Sequence, residues 1–157
     1  MLSESDLAKR KAYQEKYGEG PFITCDAVII HKGQILLIKR KKWPFEGMLA
    51  LPGGFLEKNE RIQAGTYREV LEETNLALTV ASDRMFIADG PARDPRARIV
   101  GMASRFILPD PWYVPIKAGD DAAEADWYGL GTVLALGPAN LAFDHWSIIN
   151  ELTHDIR

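Results

Sequence analysis

The chain has 157 residues, 46% hydrophobic and 26% charged, which suits one domain with its own core and is too short for two comfortable domains. The net charge of −3 gives no reason to expect nucleic-acid binding, which usually shows as a strongly basic patch. The charged N-terminus lacks the apolar run of a signal peptide, and no run approaches the roughly 20 residues of a membrane span. We therefore expect a cytoplasmic protein with no membrane partner. The single Cys25 excludes an internal disulfide and a multi-cysteine zinc cluster, and its apolar neighbours favour a buried small hydrophobe.

Strand and helix patterns alternate along the chain and indicate an α/β or α+β domain, residues 21–157, preceded by a charged helix or arm, residues 1–20. The predicted elements, in chain order, are a helix at 7–17, strands at 22–30 and 34–39, an extended piece at 49–52, a helix at 60–74, strands at 85–88, 98–108 and 125–128, and a helix at 143–154.

The central helix belongs to the most informative stretch, GGFLEKNERIQAGTYREVLEETNL, residues 53–76. Asn59 is the predicted N-cap, and Asn75 is predicted to end the helix in the left-handed conformation. Side chains three and four residues apart share a helix face, so Glu69, Glu72 and Glu73 are predicted to project together.

The opposite face of this helix, with Ala64, Tyr67 and Leu71, is expected to pack on a sheet. Gly65 and Thr66 are expected to lie beside the carboxylates and leave them open to a ligand. Three carboxylates on one face repel one another, and a divalent cation would remove that conflict; magnesium takes one or two carboxylates, keeps waters and accepts substrate phosphates. By itself, the pattern also fits a solvated acidic surface.

The same stretch resembles the Nudix box, in which a Gly, five residues, a Glu and seven residues precede Arg-Glu-apolar-any-Glu-Glu-any-Gly-apolar. Asn75 stands where the family has Gly, and Asn is the next best residue for that backbone geometry. The matching residues are Gly54, Glu60, Arg68, Glu69, Val70, Glu72, Glu73 and Leu76.

The resemblance implies an α/β/α sandwich with a mixed sheet between helices, and a Mg²⁺-dependent hydrolase, with Mn²⁺ as an alternative metal. It implies catalytic and metal-binding roles for Glu69, Glu72 and Glu73, with the backbone carbonyl of Gly53 completing the metal site. Arg68 would pair with Glu60 and, with Gly54, shape the loop and helix. In the family, the general base is a box glutamate or an acid on a distant loop.

An acidic cluster before Trp127 could supply such a distant acid; its members are Asp120, Asp121, Glu124 and Asp126. Asp121 and Glu124 are the candidate bases or extra metal ligands. A solvated acidic loop explains the same cluster. Arg40 is a candidate ligand of substrate phosphates, with solubilising loop charge as the alternative. The turn at residues 93–98, whose arginines are Arg93, Arg96 and Arg98, can also present cations to a diphosphate, and Arg96 and Arg98 are assigned to substrate binding.

Trp43 and Phe45 either stack on a base or pack on their loop. His145 is expected to be structural, because a lone His more often is. The sequence leaves both alternatives open for Trp43 and Phe45.

Within the family, the chain most resembles ADP-ribose pyrophosphatases, above all the Nudix part of bifunctional nicotinamide-nucleotide adenylyltransferase/ADP-ribose pyrophosphatases. The segments TCDAVII, ALPGGF, KAGDDAAEADW and FDHW carry that resemblance. Pro91, 15 residues beyond Leu76, stands where a proline marks these enzymes, and it implies hydrolysis of ADP-ribose to AMP and ribose 5-phosphate. The alternatives are another nucleoside diphosphate derivative, such as a sugar, NADH or a dinucleoside polyphosphate, and a non-catalytic ADP-ribose sensor. Many family members are dimers, so we expect a homodimer whose only other partner is the nucleotide substrate.

Overall fold

A mixed β-sheet with helices on both faces forms the centre of the computed structural model, which describes residues 1–110, 119 and 122–157. Strands and helices lie close to the ranges that the hydrophobic patterns predict. The elements are α1 (Glu4–Tyr17), β1 (Phe22–His31), β2 (Gln34–Arg40), β3 (Leu49–Ala50), β4 (Gly53–Phe55), α2 (Ile62–Thr74), β5 (Arg84–Ala88), β6 (Ile99–Ile107), β7 (Ala122–Gly129), α3 (Leu130–Leu136), a 3₁₀ turn (Pro138–Asn140) and α4 (His145–Thr153).

The sheet has the order β3-β2-β1-β6-β5, with β4 also paired to β1 and β7 also paired to β2. β1 and β6 run parallel over nine residue pairs, from Phe22 opposite Ile99 to Ile30 opposite Ile107. The other pairings are antiparallel. Because β4 joins the sheet beside the middle of β1, the Gly53-Gly54 segment lies against the most buried strand of the domain.

Two cores lie on opposite faces of the sheet, as the side-chain alternation of β1 requires. Ala27 and Ile29 pack with Val70 of α2. Val28 and Ile30 pack with the opposite core, which includes Ile148, Ile149 and Leu152 of α4. The α/β/α sandwich is therefore confirmed, with α2 on one face and α4 on the other.

The start of α2 differs from the prediction. Arg61, not Asn59, is the N-cap, and no side chain caps this end. Residues 57–60 form a turn instead, in which the backbone N–H of Glu57 donates to the Glu60 carboxylate at 2.8 Å. The end of the helix is as predicted, because Asn75 adopts the left-handed conformation with φ of 61°.

The packing face of α2 is also rotated from the prediction. Leu71 is 48% exposed and Ala64 is exposed, whereas Gly65 and Thr66 are buried. Gly65 is buried because it approaches Cys25 and the Glu60 carboxylate so closely that a Cβ would lie 3.1 Å from the Cys25 Sγ. Glu73 lies on this buried side, so the carboxylate face is not uniformly exposed.

The sequence patterns missed the short strand β4 and the helix α3. Gly-Gly-Phe has no strand propensity of its own and is extended here through its pairing with Thr24, Cys25 and Asp26. The predicted charged arm is a regular helix, α1, with a Ser3–Asp6 capping box. Within the described residues, no helix is long and apolar enough to cross a membrane.

Candidate active site

A cleft of about 630 Å³ lies between α2 and the strands β1, β2 and β4. That volume is in the usual range for a small-molecule site, roughly 300–1,000 Å³. Its base carries the glycines and carboxylates of the box, and its rim carries cationic and aromatic side chains. The residues that line the cleft include Tyr13, Tyr17, Asp26, Arg40, Trp43, Gly53, Gly54, Phe55, Arg68, Glu69, Glu73, Arg93, Arg96, Phe143 and His145.

Glu73 lies at the base of the cleft with only 6% of its surface exposed. The backbone N–H of Gly53 donates to its Oε2 at 3.0 Å, which ties α2 to β4. Burial raises the pKa of Glu73 to about 8, and the nearby Glu69 and Asp26 carboxylates add to the shift. A cation placed here would therefore relieve an unfavourable concentration of negative charge.

Glu69 stands one turn before Glu73, and its carboxylate rests against the backbone of Gly54. Any Cβ at Gly54 would overlap that carboxylate, so the glycine is needed for space. Burial raises the pKa of Glu69 despite the hydrogen bond from Arg68. The side chain of Glu72 is 42% exposed, so the three predicted carboxylates range from buried to open.

Arg68 holds the turn before α2 against the helix. Its guanidinium donates to both Glu60 oxygens, at 2.6 and 3.1 Å, and to the carbonyl of Phe55 at 3.0 Å. It also reaches Glu69 at 2.7 Å and Glu72 at 3.3 Å. The predicted Arg68–Glu60 pair is thus present, and the same arginine fixes the direction of the carboxylates.

A glycine from another segment closes the C-terminal end of α2. The N–H of Gly119 donates to the backbone carbonyl of Glu73 at 3.0 Å. A Cβ at this position would overlap the carbonyl of Glu72. The Glu73 carbonyl, at the end of the helix that carries the carboxylates, is thereby paired with a backbone N–H from outside the helix.

The donor set suits a divalent cation that prefers oxygen. In the described part of the chain, no group of three His, Cys, Asp or Glu side chains converges as a ready-made metal site. Magnesium takes one or two carboxylates and completes its shell with water and phosphate oxygens, so such a group is not required. Glu69 and Glu73 meet that requirement, since both lie against Gly53-Gly54 and the Glu69 carboxylate adds to the raised pKa of Glu73.

The three arginines predicted to bind substrate lie in different places. Arg40 lines the cleft, with its guanidinium 5.0 Å from the Phe143 ring centroid. Arg96 also lines the cleft, but it forms a two-point ion pair with Asp94, at 2.8 and 3.0 Å. Arg98 is not among the lining residues and instead donates to the carbonyls of Asp89 and Gly90. Only the first two are placed to meet a ligand in the cleft.

Two further charged residues line the cleft: Arg93, from the arginine turn that was predicted to bind substrate, and Asp26, which the sequence patterns missed. Arg93 forms a buried two-point pair with Asp144, at 2.7 and 2.9 Å, and crosses above Gly101. Asp26, on β1, is 6% exposed, and burial raises its pKa to about 6. The segment TCDAVII signals a buried strand, and a carboxylate within such a strand was the available clue to Asp26.

Other predicted residues are mostly structural in their contacts. His145 is buried, and its Nδ1 accepts the N–H of Leu51 at 3.0 Å. Phe45 packs on Phe143, with ring centroids 4.8 Å apart, whereas Trp43 lines the cleft. Cys25 is fully buried, and burial raises its pKa to about 11, as expected of an inert thiol.

The acidic cluster and the proline marker are not at the cleft surface in the described residues. Glu124 lies on β7 and pairs with Lys39 at 3.8 Å, and Asp126 accepts the N–H of Trp127. Asp120 and Asp121 fall outside the described residues. Pro91 is in an exposed turn and does not line the cleft, so its role in substrate choice stays a prediction.

Comparisons with known proteins agree with this geometry. The family model described as the NUDIX domain matches residues 22–152. The chain is 38% identical over 151 residues to an ADP-ribose pyrophosphatase of Methanocaldococcus jannaschii, covering 96% of this chain and 81% of that protein. It is 29% identical to the ADPR responsive transcriptional repressor NtrR of Acinetobacter baylyi, covering 94% of this chain and 59% of that protein.

Among solved structures, a bifunctional NMN adenylyltransferase/ADP ribose pyrophosphatase from Francisella tularensis matches with a TM-score of 0.88 and 31% identity. A structure of such an enzyme from the same organism, complexed with AMP and a manganese ion, matches with a TM-score of 0.86 and 32% identity. Each match covers 96% of this chain and 47% of the other, so the chain spans about half the length of those proteins.

Proposed function

Because the chain belongs to the Nudix family, we propose that it hydrolyses the pyrophosphate bond of ADP-ribose, releasing AMP and ribose 5-phosphate. The observation that carries the proposal is the pair Glu69 and Glu73 at the base of the cleft, in which Gly53 holds Glu73 and Arg68 holds Glu69. The similarity to an ADP-ribose pyrophosphatase over 96% of the chain supports the choice of substrate.

The residues of the cleft divide the work. Glu69 and Glu73, with the carbonyl of Gly53, would hold divalent cations, which would supply positive charge for the diphosphate and a site for the attacking water. Glu72, the most exposed of the three, would orient the attacking water and accept its proton. Arg40 and Arg93 supply fixed positive charge beside the carboxylates, where a diphosphate needs it.

Arg68 acts through the carboxylates and has no direct contact with the diphosphate in this proposal. Its bonds to Glu60 and Phe55 anchor it to the turn, and its bonds to Glu69 and Glu72 fix their rotamers. Rigid placement of charged groups before the reaction is the main means by which such sites lower a barrier.

Magnesium is the cation that we propose, with manganese as a working substitute. Both are accommodated by oxygen ligands, and the sulfur of the nearby Cys25 is buried and points toward Gly65. The manganese ion in the Francisella complex supports a divalent cation as the partner of this site.

A sensor that binds ADP-ribose without cleaving it is the second candidate, favoured by the similarity to the Acinetobacter repressor. The intact carboxylates argue for the hydrolase, since a pure binding site has no need of like charges buried at its base.

The test is a measurement of kcat/KM with ADP-ribose, a nucleoside diphosphate sugar, NADH and diadenosine polyphosphates, with magnesium and with chelator. We expect ADP-ribose to be the best substrate and chelator to abolish turnover. Tenfold better turnover of a dinucleoside polyphosphate would overturn the substrate, and tight binding of ADP-ribose without turnover in magnesium would favour the sensor. Size-exclusion chromatography with light scattering tests the expected homodimer.

A further inference from the structure

The helix α1 lies outside the matched family domain and buries none of its residues, yet it contacts the rim of the cleft. Asp6 accepts the Trp43 indole N–H at 2.9 Å, and the Gln14 side chain donates to the Arg96 carbonyl at 3.2 Å. Lys9 lies 5.8 Å from the Trp43 ring centroid. These contacts give α1 a fixed position at the mouth of the site without a share in either core.

The link from α1 to the sheet also holds the helix in place. The N–H of Arg98 donates to the Glu19 carbonyl at 3.0 Å, and the N–H of Phe22 donates to the Arg98 carbonyl at 2.9 Å. Gly20, with φ of +91°, passes so close to the Arg98 carbonyl that a Cβ would overlap it. α1 is thereby joined to Arg98, which lies between β6 and the turn whose residues Arg93 and Arg96 line the cleft.

Two tyrosines on one face of α1 line the cleft itself. Tyr13 and Tyr17 are four residues apart, and their ring centroids are 4.8 Å apart. Tyr17 is 55% exposed, so its ring is accessible to a ligand in the cleft. The Arg96 guanidinium lies 5.9 Å from the Tyr13 ring and is held in place by Asp94.

We propose that Tyr13 and Tyr17 of α1 form the wall of the cleft that binds the purine base of the substrate, and so determine its preference for adenine nucleotides over base-free phosphates. The inference rests on the proposed function for the identity of the substrate. With the diphosphate near Glu69 and Glu73, the base occupies the part of the same cleft that Tyr13 and Tyr17 line.

The chemistry of this wall suits a base and not a sugar. A ribose presents hydroxyl groups, which call for carboxylate or amide partners, whereas a purine presents a flat face that stacks on aromatic rings. On α1, the carboxylate nearest the cleft, Asp6, is already engaged by Trp43 and by Ser3. Stacking is thus the interaction that the tyrosines offer.

The experiment compares the affinities of AMP and ribose 5-phosphate, which differ by the base, using titration calorimetry on the full chain. In the double variant Tyr13→Ala/Tyr17→Ala, we expect AMP binding to weaken at least about tenfold, in line with the usual loss of one base stack. Ribose 5-phosphate binding should change less than twofold. With ADP-ribose, KM should rise by a similar factor while kcat is retained, as for loss of uniform binding.

Two further variants serve as controls. Tyr13→Phe/Tyr17→Phe keeps the rings and should bind AMP like the wild type, and Lys11→Ala/Glu15→Ala alters only an exposed pair on the same helix. Wild-type protein without AMP affinity, an alanine variant with unchanged AMP affinity, or equal losses for both probes would each overturn the inference. If ADP-ribose is not hydrolysed but AMP binding still depends on the tyrosines, the proposed function fails and the base site stands.

Discussion

Replacing Glu73 with Gln separates the two roles of this side chain, catalysis and packing. Gln keeps the shape and still accepts the Gly53 N–H, but it is neutral and a poor ligand for magnesium. We expect turnover to fall at least about 100-fold, the usual scale for loss of one key electrostatic group. In the metal-free protein, we expect the same change to raise stability.

The size of the stability gain follows from the pKa of Glu73, which burial raises to about 8 from an ordinary value of 4.5. The native state then holds a proton that the unfolded chain has released, so the wild type loses stability as pH rises from 4.5 to 8. At pH 7, the cost is roughly 3 kcal/mol, at about 1.4 kcal/mol per pKa unit. Removing this cost should raise Tm by about 6–12 °C, since 1 kcal/mol corresponds to about 2–4 °C in a chain of this size.

Thermal unfolding at pH 7 in chelator and in magnesium measures both effects. Magnesium should raise the Tm of the wild type, because it binds only the native state, and should raise that of the variant far less. Near-normal turnover by the folded variant would refute the assignment of Glu73 as a metal ligand. A metal-free variant less stable than the wild type would refute the argument from the buried charge.

Three further changes test the surroundings. Arg68→Ala should lower stability by about 2–4 kcal/mol and lower activity, because its partner carboxylates lose their counterion; Arg68→Lys is the control, and an unchanged Tm would argue against a structural role. Gly54→Ala should cut kcat strongly by displacing Glu69, whereas Gly131→Ala, with open space around it, should not; equal rates would contradict the steric argument. Burial lowers the pKa of His145 to about 3, because the neutral ring is favoured in the folded protein. The free energy of unfolding should therefore fall as pH falls from 6.5 toward 3, by at most about 1.4 kcal/mol per pH unit. His145→Gln should flatten that part of a stability–pH curve, and an unaltered slope would count against it.

The sequence predicted the sheet and the chemistry of α2 because both depend on local spacing. The continuous apolar, β-prone run at residues 22–30 predicted the strand β1, and the spacing of Glu69 and Glu73 predicted one helix face. Asn75 was predicted to end the helix because its conformational tolerance is a property of the residue itself. These features need no knowledge of distant contacts.

The errors arise where distant parts of the chain decide the outcome. Asn59 has the right chemistry for an N-cap, but Glu60 folds back to meet Arg68, and the helix therefore starts later. Gly65 is buried because Cys25 on β1 packs against it, which turns Leu71 outward.

The cleft residues contributed by α1 were not predicted for the same reason, and neither was the pairing of Arg93 with Asp144. Their place in the site depends on contacts across the fold, such as Arg93 with Asp144 and Trp43 with Asp6. No local spacing in the sequence reports such contacts.

The close approach of Gly119 to the end of α2 bears on how essential positions are recognised. In a saturation mutagenesis scan scored by activity, Gly119 would be depleted as strongly as the box carboxylates, because every side chain collides with the Glu72 carbonyl. That depletion would reflect excluded volume and not reaction chemistry. Scoring protein abundance beside activity separates the two causes, since Glu73→Gln retains abundance and a side chain at Gly119 does not.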